Sequence, residues 1–342
     1  MRVLHVISEM GAGGAEALVA GMALAGGDVG WESAVASGPG FRLESLRAAE
    51  IPVFAVPLAR RSPLGVLRAV RAARVAVRRF RPDVVVAHNV SASLVARLAA
   101  RRPVVTVFHG VAEADVPGAV RVLRRVSSVV VSVASAARDR LRDAGLDSVV
   151  IPNAAFPSTP AVDRATVRAR LGTPLDVPVA LCPARLEPQK RHDVLLDAWA
   201  QIPGDCELWL AGDGSLRADL EARADGRVRF LGTRTDVRDL FEAADVTVLT
   251  SDWEGMPIAL LESLAAGRPI VASDVDGVRE VLSGGGGVLV PRRNPGQTAR
   301  ALRGLLFSPA ARSVAASHDG TADAHALMKS YDELLRTVLE GR

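Results

Sequence analysis

The sequence predicts an α/β protein made of two Rossmann-like, doubly wound parallel-sheet domains facing each other across a cleft. Three observations carry this expectation. Short β-branched runs alternate with longer amphipathic stretches along the chain, the pattern of strands joined by helices. The runs are continuously apolar rather than alternating, which suits strands buried on both faces of a parallel sheet. They also fall into two series, and a length of 342 residues suits two domains of about 150 residues each better than one core.

Taken in order, the first series of strands is Val3–Ile7, Glu32–Ala36, Pro52–Val56, Val84–Ala87, Val104–Phe108, Ser128–Val133 and Val149–Ile151. The second is Val179–Cys182, Glu207–Ala211, Val228–Leu231, Val246–Thr250, Pro269–Ala272 and Gly287–Val290. Helical patterns lie between them, among them Ala15–Ala25, Pro63–Phe80, His192–Ala200, Ser215–Ala224 and Pro257–Ala266. Pro157, Pro160, Pro174 and Pro178 cluster between the series and mark the boundary near Pro157–Leu175, where 163–171 reads as a short polar helix. The expected domains are 1–160 and 170–320. A last amphipathic helix, about Asp323–Leu339, follows a Ser/Ala/Gly-rich stretch.

Composition bounds the function. Hydrophobic residues at 49% and charged residues at 23% describe a globular chain rather than a disordered one. The net charge of +4 is compatible with phosphorylated substrates or an anionic surface, but at this size solubility explains it equally well. Cys182 and Cys206 are too few for a disulfide framework or a metal cage. Cys182 lies in an apolar run and reads as a small core residue. No signal segment or spanning run is visible, so a cytoplasmic location is expected. No His, Cys and Asp cluster has metal-ligand spacing, and no aromatic-rich basic face points to nucleic acid.

Five places carry candidate chemistry. Gly11 to Glu16 follows the first strand and opens a helix. Gly13 and Gly14 there would let a phosphate or sugar approach the backbone, or simply make a tight turn. The spacing is neither a dinucleotide fingerprint nor a P-loop, which disfavours an NAD-binding dehydrogenase. Arg185 and Lys190 follow the first strand of the second series, at the end of the sheet where such folds bind ligands, and could neutralise a diphosphate. Glu254, Gly255, Met256, Pro257 and Ile258 lead into a helix carrying Glu262. Pro257 would occupy the first turn, the helix mouth would face an anion, and the two glutamates could reach different parts of one extended ligand. His109 ends the strand Val104–Phe108, and His88 with Asn89 ends another; His5, inside the first strand, reads as core. Finally, Arg68, Arg71, Arg74, Arg78 and Arg79 share a broad face of the Pro63–Phe80 helix. That face would suit peripheral contact with anionic lipid, yet no large apolar residue is expected to be exposed on it, so an ordinary surface helix is expected.

Around these residues the chain resembles the retaining, two-domain GT-B nucleotide-sugar glycosyltransferases of glycosyltransferase family 4. The resemblance covers nearly the whole chain. It rests on His5–Glu16, Thr106–Gly110, Pro183–Lys190, Ala211–Gly214, Phe230–Gly232 and above all Ser251–Val281, where a Glu-x7-Glu block precedes Ala266 to Ser273. The resemblance implies that Arg185 and Lys190 hold the donor diphosphate as leaving group. It implies that Glu254 meets the donor sugar and Glu262 the ribose, with His109 beside the reacting sugar. It places the Gly13–Gly14 loop near the phosphates or the acceptor, and it implies that no cofactor or metal is required and that the last helix returns to the first domain. The partners it implies are a nucleotide-sugar donor and a small-molecule, glycan or lipid-linked acceptor; the composition is similar to that of actinomycete members that decorate antibiotics. Two features depart from the family: Arg191 stands where Gly is common, and Ser283–Gly287 replaces a more varied stretch. A nucleotide-sugar epimerase on the same fold and a non-catalytic nucleotide-sugar-binding protein remain the alternatives.

Overall fold

The computed structural model describes residues 1–58, 62–157, 159–317 and 323–341. The chain divides into two compact units, residues 1–154 with 322–342, and residues 155–321.

The first unit runs β1 (Arg2–Ile7), α1 (Gly14–Leu24), β2 (Glu32–Ser37), α2 (Arg42–Ala48), β3 (Val53–Ala55), α3 (Pro63–Phe80), β4 (Val84–Ala87), α4 (Val90–Ala99), β5 (Val104–Phe108), α5 (Val116–Val126), β6 (Val129–Ser132), α6 (Ser135–Asp143) and β7 (Val149–Val150). Its seven strands stand in the order β3-β2-β1-β4-β5-β6-β7 and pair in parallel. Strands β4 and β5 are wholly buried, because helices cover both faces of the sheet. Helix α5 shows the complementary pattern, burying Val116, Ala119, Val120, Leu123 and Val126 at three- and four-residue spacing.

The second unit continues with α7 (Arg164–Leu171), β8 (Val179–Cys182), α8 (His192–Trp199), β9 (Glu207–Ala211), α9 (Arg217–Glu221), β10 (Val228–Gly232), α10 (Val237–Ala243), β11 (Val246–Leu249), α11 (Ile258–Ala265), β12 (Ile270–Ser273), α12 (Asp276–Val281), β13 (Gly287–Val290), α13 (Pro295–Leu306) and α14 (Pro309–Ala316). Its six parallel strands stand in the order β10-β9-β8-β11-β12-β13. A buried guanidinium fastens the entry to this sheet. Arg168 of α7 donates to Asp245 Oδ2 at 2.9 Å, Ala243 O at 3.0 Å and Val177 O at 2.6 Å, while Asp245 also accepts from Val179 N at 2.9 Å.

The last helix, α15 (Ala324–Glu340), belongs to the first unit. Trp31 Nε1 donates to Asp332 Oδ1 at 2.8 Å, and Leu327, Met328, Tyr331 and Leu335 are buried along one stripe. Residues 318–322 of the Ser/Ala/Gly-rich stretch before it, and Ser158 in the proline-rich boundary, lie outside the described residues.

Three local expectations are corrected. The helix expected over Ser215–Ala224 is only Arg217–Glu221, because Ser215 is held in the loop by Glu187, its amide at 3.1 Å from Oε1 and its hydroxyl at 2.7 Å from Oε2. Pro257 is the extended N-cap of α11 (φ −72°, ψ 112°) rather than a first-turn residue. Third, α3 does expose large apolar residues: Leu64 at 69%, Val75 at 47% and Leu67 at 43%. Its buried stripe is built from Ala69, Val70, Ala73, Ala76 and Phe80, which turns these three outward among the arginines. Among the described residues no helix is long and apolar enough to cross a membrane.

Candidate functional site

In each sheet the chain order reverses once. The second sheet grows one way from β8 through β9 to β10, and the other way from β11 through β12 to β13. Neighbouring strands β8 and β11 therefore send their following loops in opposite directions and open a crevice at their carboxyl ends, the ligand position of doubly wound sheets. The two loops are residues 183–191 and 250–257.

There the structure brings Lys190 and Glu254 together. Lys190 Nζ donates to Glu254 Oε1 at 2.5 Å, and Ser251 Oγ donates to the same oxygen at 2.6 Å. The pair is largely enclosed, with side chains 16% and 8% exposed. Partial burial strengthens the attraction relative to bulk water and makes either charge costly to leave alone. Gly255, Met256 and Pro257 are buried directly after it. Ile258 starts α11, whose first amides have no partner within the helix and carry the positive end of its dipole. Glu262 lies one turn further in and is half-buried. Arg185 is exposed on the same loop as Lys190. It helps hold the Glu187 carboxyl below its usual range, though the hydrogen bonds from Ser215 do more.

The pair is positioned by Gln189, Thr250, Asp252 and Arg293, none of them a candidate from the sequence, and by Arg191. Asp252 N donates to Gln189 O at 2.9 Å and Gln189 Nε2 to Trp253 O at 2.8 Å, lacing the two loops together. Thr250 Oγ1 donates to the carbonyls of Lys190 and Arg191 at 3.1 and 3.0 Å. The Asp252 carboxylate then accepts from two arginines, Arg191 at 3.3 Å and Arg293 at 2.8 Å to each oxygen. These bonds, those from Arg293 foremost, hold its pKa below the usual carboxylate value. Both arginines have left-handed backbones, φ 50° and 55°. Arg191 thus keeps the backbone shape that glycine would take most easily, and adds ion pairs to Asp193 at 2.6 Å and to Asp252.

Two glycines are required by close approach. A Cβ on Gly277, in the first turn of α12, would run into the Gly255 carbonyl oxygen, and one on Gly212, after β9, into the Ala184 carbonyl oxygen. Each lets a neighbouring strand–helix turn press against a site loop. Gly212 and Gly277 lay within motifs already singled out; Arg293 gave no local signal, because its partner Asp252 lies 41 residues away in the chain.

Beneath the pair, Cys182 Sγ lies 3.6 Å from His192 Nε2. Burial pushes the thiol up to about 12 and the imidazole down to about 4. Both stay neutral, so the thiol is a core group rather than a nucleophile.

The remaining candidates are in the first unit. Its sheet reverses between β1 and β4, and the loops there are joined by Asn89 Nδ2 donating to Ser8 Oγ at 2.9 Å. Asn89 Oδ1 also caps α4 by accepting from Ala92 N at 2.7 Å. Gly13 is the N-cap of α1, but the Glu16 carboxylate folds back over it, where a Cβ would collide. An acid at that position satisfies the helix mouth as a bound anion would. His109 follows β5 and belongs to a row of three imidazoles across adjacent strands. His5 Nδ1 lies 3.2 Å from His88 Nε2, and the rings of His88 and His109 stack with centroids 6.0 Å apart. Burial lowers His5 and His109 to about 4 and His88 well below its usual value. Among the described residues no group of His, Cys, Asp and Glu is placed to hold a metal ion.

The sheet reversals and the loops that meet at them define the GT-B architecture of two Rossmann-like domains. Residues 12–156 match the family described as Glycosyltransferase Family 4, and residues 177–307 match Glycosyl transferases group 1. The chain is thus built from two glycosyltransferase family domains, one after the other. A lipopolysaccharide core biosynthesis glycosyltransferase, LpsE, of Rhizobium meliloti is 35% identical over 152 residues, 43% of this chain and 44% of that protein. A D-inositol 3-phosphate glycosyltransferase of Mycolicibacterium paratuberculosis is 34% identical over 190 residues, 52% of this chain and 42% of that protein. The matched part therefore spans less than half the length of these relatives. Anabaena HepE, solved in complex with UDP and glucose, superposes with a TM-score of 0.83 at 24% identity, covering 98% of this chain and 100% of that one.

Proposed function

We propose that this chain is a retaining glycosyltransferase that moves a sugar from a nucleotide-diphosphate donor to a hydroxyl acceptor without a metal, in glycan or natural-product assembly such as antibiotic decoration. The observation that carries this reading is the enclosed Lys190–Glu254 pair at the β8/β11 reversal, beside the N-terminus of α11. The complex of HepE with UDP and glucose supports a uridine diphosphate donor.

In this mechanism Arg185, Lys190 and the first amides of α11 take the diphosphate. Negative charge grows there as the glycosidic bond breaks, so these groups stabilise the transition state more than the bound donor. Glu254, already fixed through one oxygen by Lys190 and Ser251, offers the other to sugar hydroxyls, and Glu262 takes the ribose. His109 keeps the role the resemblance implies, beside the reacting sugar. Cys182 is neutral, so we assign attack to the acceptor hydroxyl on the face the diphosphate leaves. Because Glu16 covers Gly13, the first loop's role is best assigned to the acceptor rather than to the phosphates.

The test is a thermal-shift screen of UDP-, GDP-, ADP- and dTDP-glucose, followed by product analysis with and without acceptor. The matching donor at large excess should add roughly 3–4 kcal/mol of stability. Lys190→Ala and Glu254→Ala should abolish transfer with an unchanged circular dichroism spectrum, while Glu262→Ala should mainly weaken donor binding. Full transfer by either of the first two variants refutes the site. Donor consumption without acceptor would indicate an epimerase, and binding without turnover a sensor.

A further inference from the structure

The first unit carries a surface that the transfer reading leaves unused. Helices α3, α4 and α5 lie side by side on one face of the sheet, α4 packing between the other two. None of the three contains an aspartate or a glutamate. Their outward residues are basic: five arginines on α3, Arg97 on α4, and Arg121, Arg124 and Arg125 on α5, all exposed. Between them stand large aliphatic side chains. Leu64, Leu67 and Val75 lie on the same side of α3 as Arg68, Arg71 and Arg78, and Leu98, 49% exposed, extends the row onto α4.

Helices that interleave exposed leucines with arginines, and carry no acid, have the composition of a surface that rests in the headgroup region of an anionic bilayer. The guanidinium groups meet lipid phosphates and the aliphatic tips reach the acyl boundary. A single-stranded nucleic-acid face would instead offer aromatic side chains for stacking, and these three helices contribute no exposed aromatic. We infer that the α3–α4–α5 face docks the protein peripherally on anionic phospholipid. The inference does not rest on the transfer reading, and its test uses no sugar donor.

The experiment is flotation of the full chain with vesicles of phosphatidylcholine alone, and with phosphatidylglycerol added, at low and high salt. Binding is expected only with phosphatidylglycerol, and weaker at high salt. Each arginine replaced in a Arg71→Glu, Arg78→Glu, Arg121→Glu series should lower the partition coefficient by about fivefold or more. Leu64→Ser with Leu67→Ser should lower it while leaving the salt dependence in place. Surface changes of this kind should not alter the melting temperature, which is checked alongside. Equal binding to uncharged vesicles, no binding to either, or insensitivity to the arginine changes overturns the proposal. So does tighter binding to a short DNA duplex than to vesicles at matched salt.

Discussion

Arg191 shows how one residue can hold a strained shape and make it useful. Its left-handed backbone costs on the order of 1 kcal/mol relative to glycine, and its guanidinium returns something similar by bracing Asp193 and Asp252. Arg191→Gly should therefore change the free energy of unfolding by less than about 1 kcal/mol. Transfer should nonetheless fall severalfold, because Asp252 loses one of its two anchors and the Glu254 loop gains slack. Equilibrium unfolding and initial rates measured together check this; an unaltered rate would show that Arg293 suffices. At this scale the sequence was partly legible. Lys190 and Glu254 stood out because each follows an apolar strand run, and the departure at Arg191 was visible too. Arg293 was not, since an ion pair reached across 41 residues of chain leaves no local pattern.

At the scale of elements, strands and helices were the most readable feature. The apolar runs expected over Val104–Phe108, Val179–Cys182 and Glu207–Ala211 are strands with those limits, because short apolar runs flanked by turns suit strands buried in a parallel sheet. Boundaries failed where side chains compete with the helix, as Glu187 does for Ser215. The outward leucines of α3 were missed because its apolar residues form more than one stripe, and only packing decides which stripe is buried. Contacts between turns were invisible as well. Gly277→Ala places a methyl group against the Gly255 carbonyl, and the backbone must shift to admit it. This single carbon should cost the protein 1–3 kcal/mol, the usual range for overpacking, and lower transfer more than stability alone explains. Melting curves and kcat/KM for the variant test both parts.

The two units differ in their response to acid. His5 and His88 are buried and His109 half-buried in the first, all three neutral, whereas His192 is the corresponding group in the second. Each of these imidazoles has its pKa lowered on folding, His5, His109 and His192 to about 4, from an ordinary value near 6.5. Between those values the unfolded chain binds more protons than the folded one, so stability rises with pH and is lost as pH falls through this window. Each such group contributes on the order of 1 kcal/mol per pH unit. The first unit should consequently unfold before the second as pH drops from about 6.5 toward 4. Fluorescence of Trp31 against that of Trp199 and Trp209, followed during acid titration, distinguishes them. Simultaneous loss of both signals, or a His88→Asn variant with the same acid midpoint, would contradict the assignment.

The docking of α15 beside Trp31 gives the polypeptide a particular economy of connection. Residues 1–154 and α15 are woven into the same fold, and the other fold is carried as a continuous insert between residues 154 and 322. Excising the insert would be a matter of two cuts, and it would leave as one uninterrupted piece. Its host, by contrast, cannot be expressed as a single stretch without an artificial splice, and removing α15 would damage the fold that contains residue 1 rather than the one nearest in sequence.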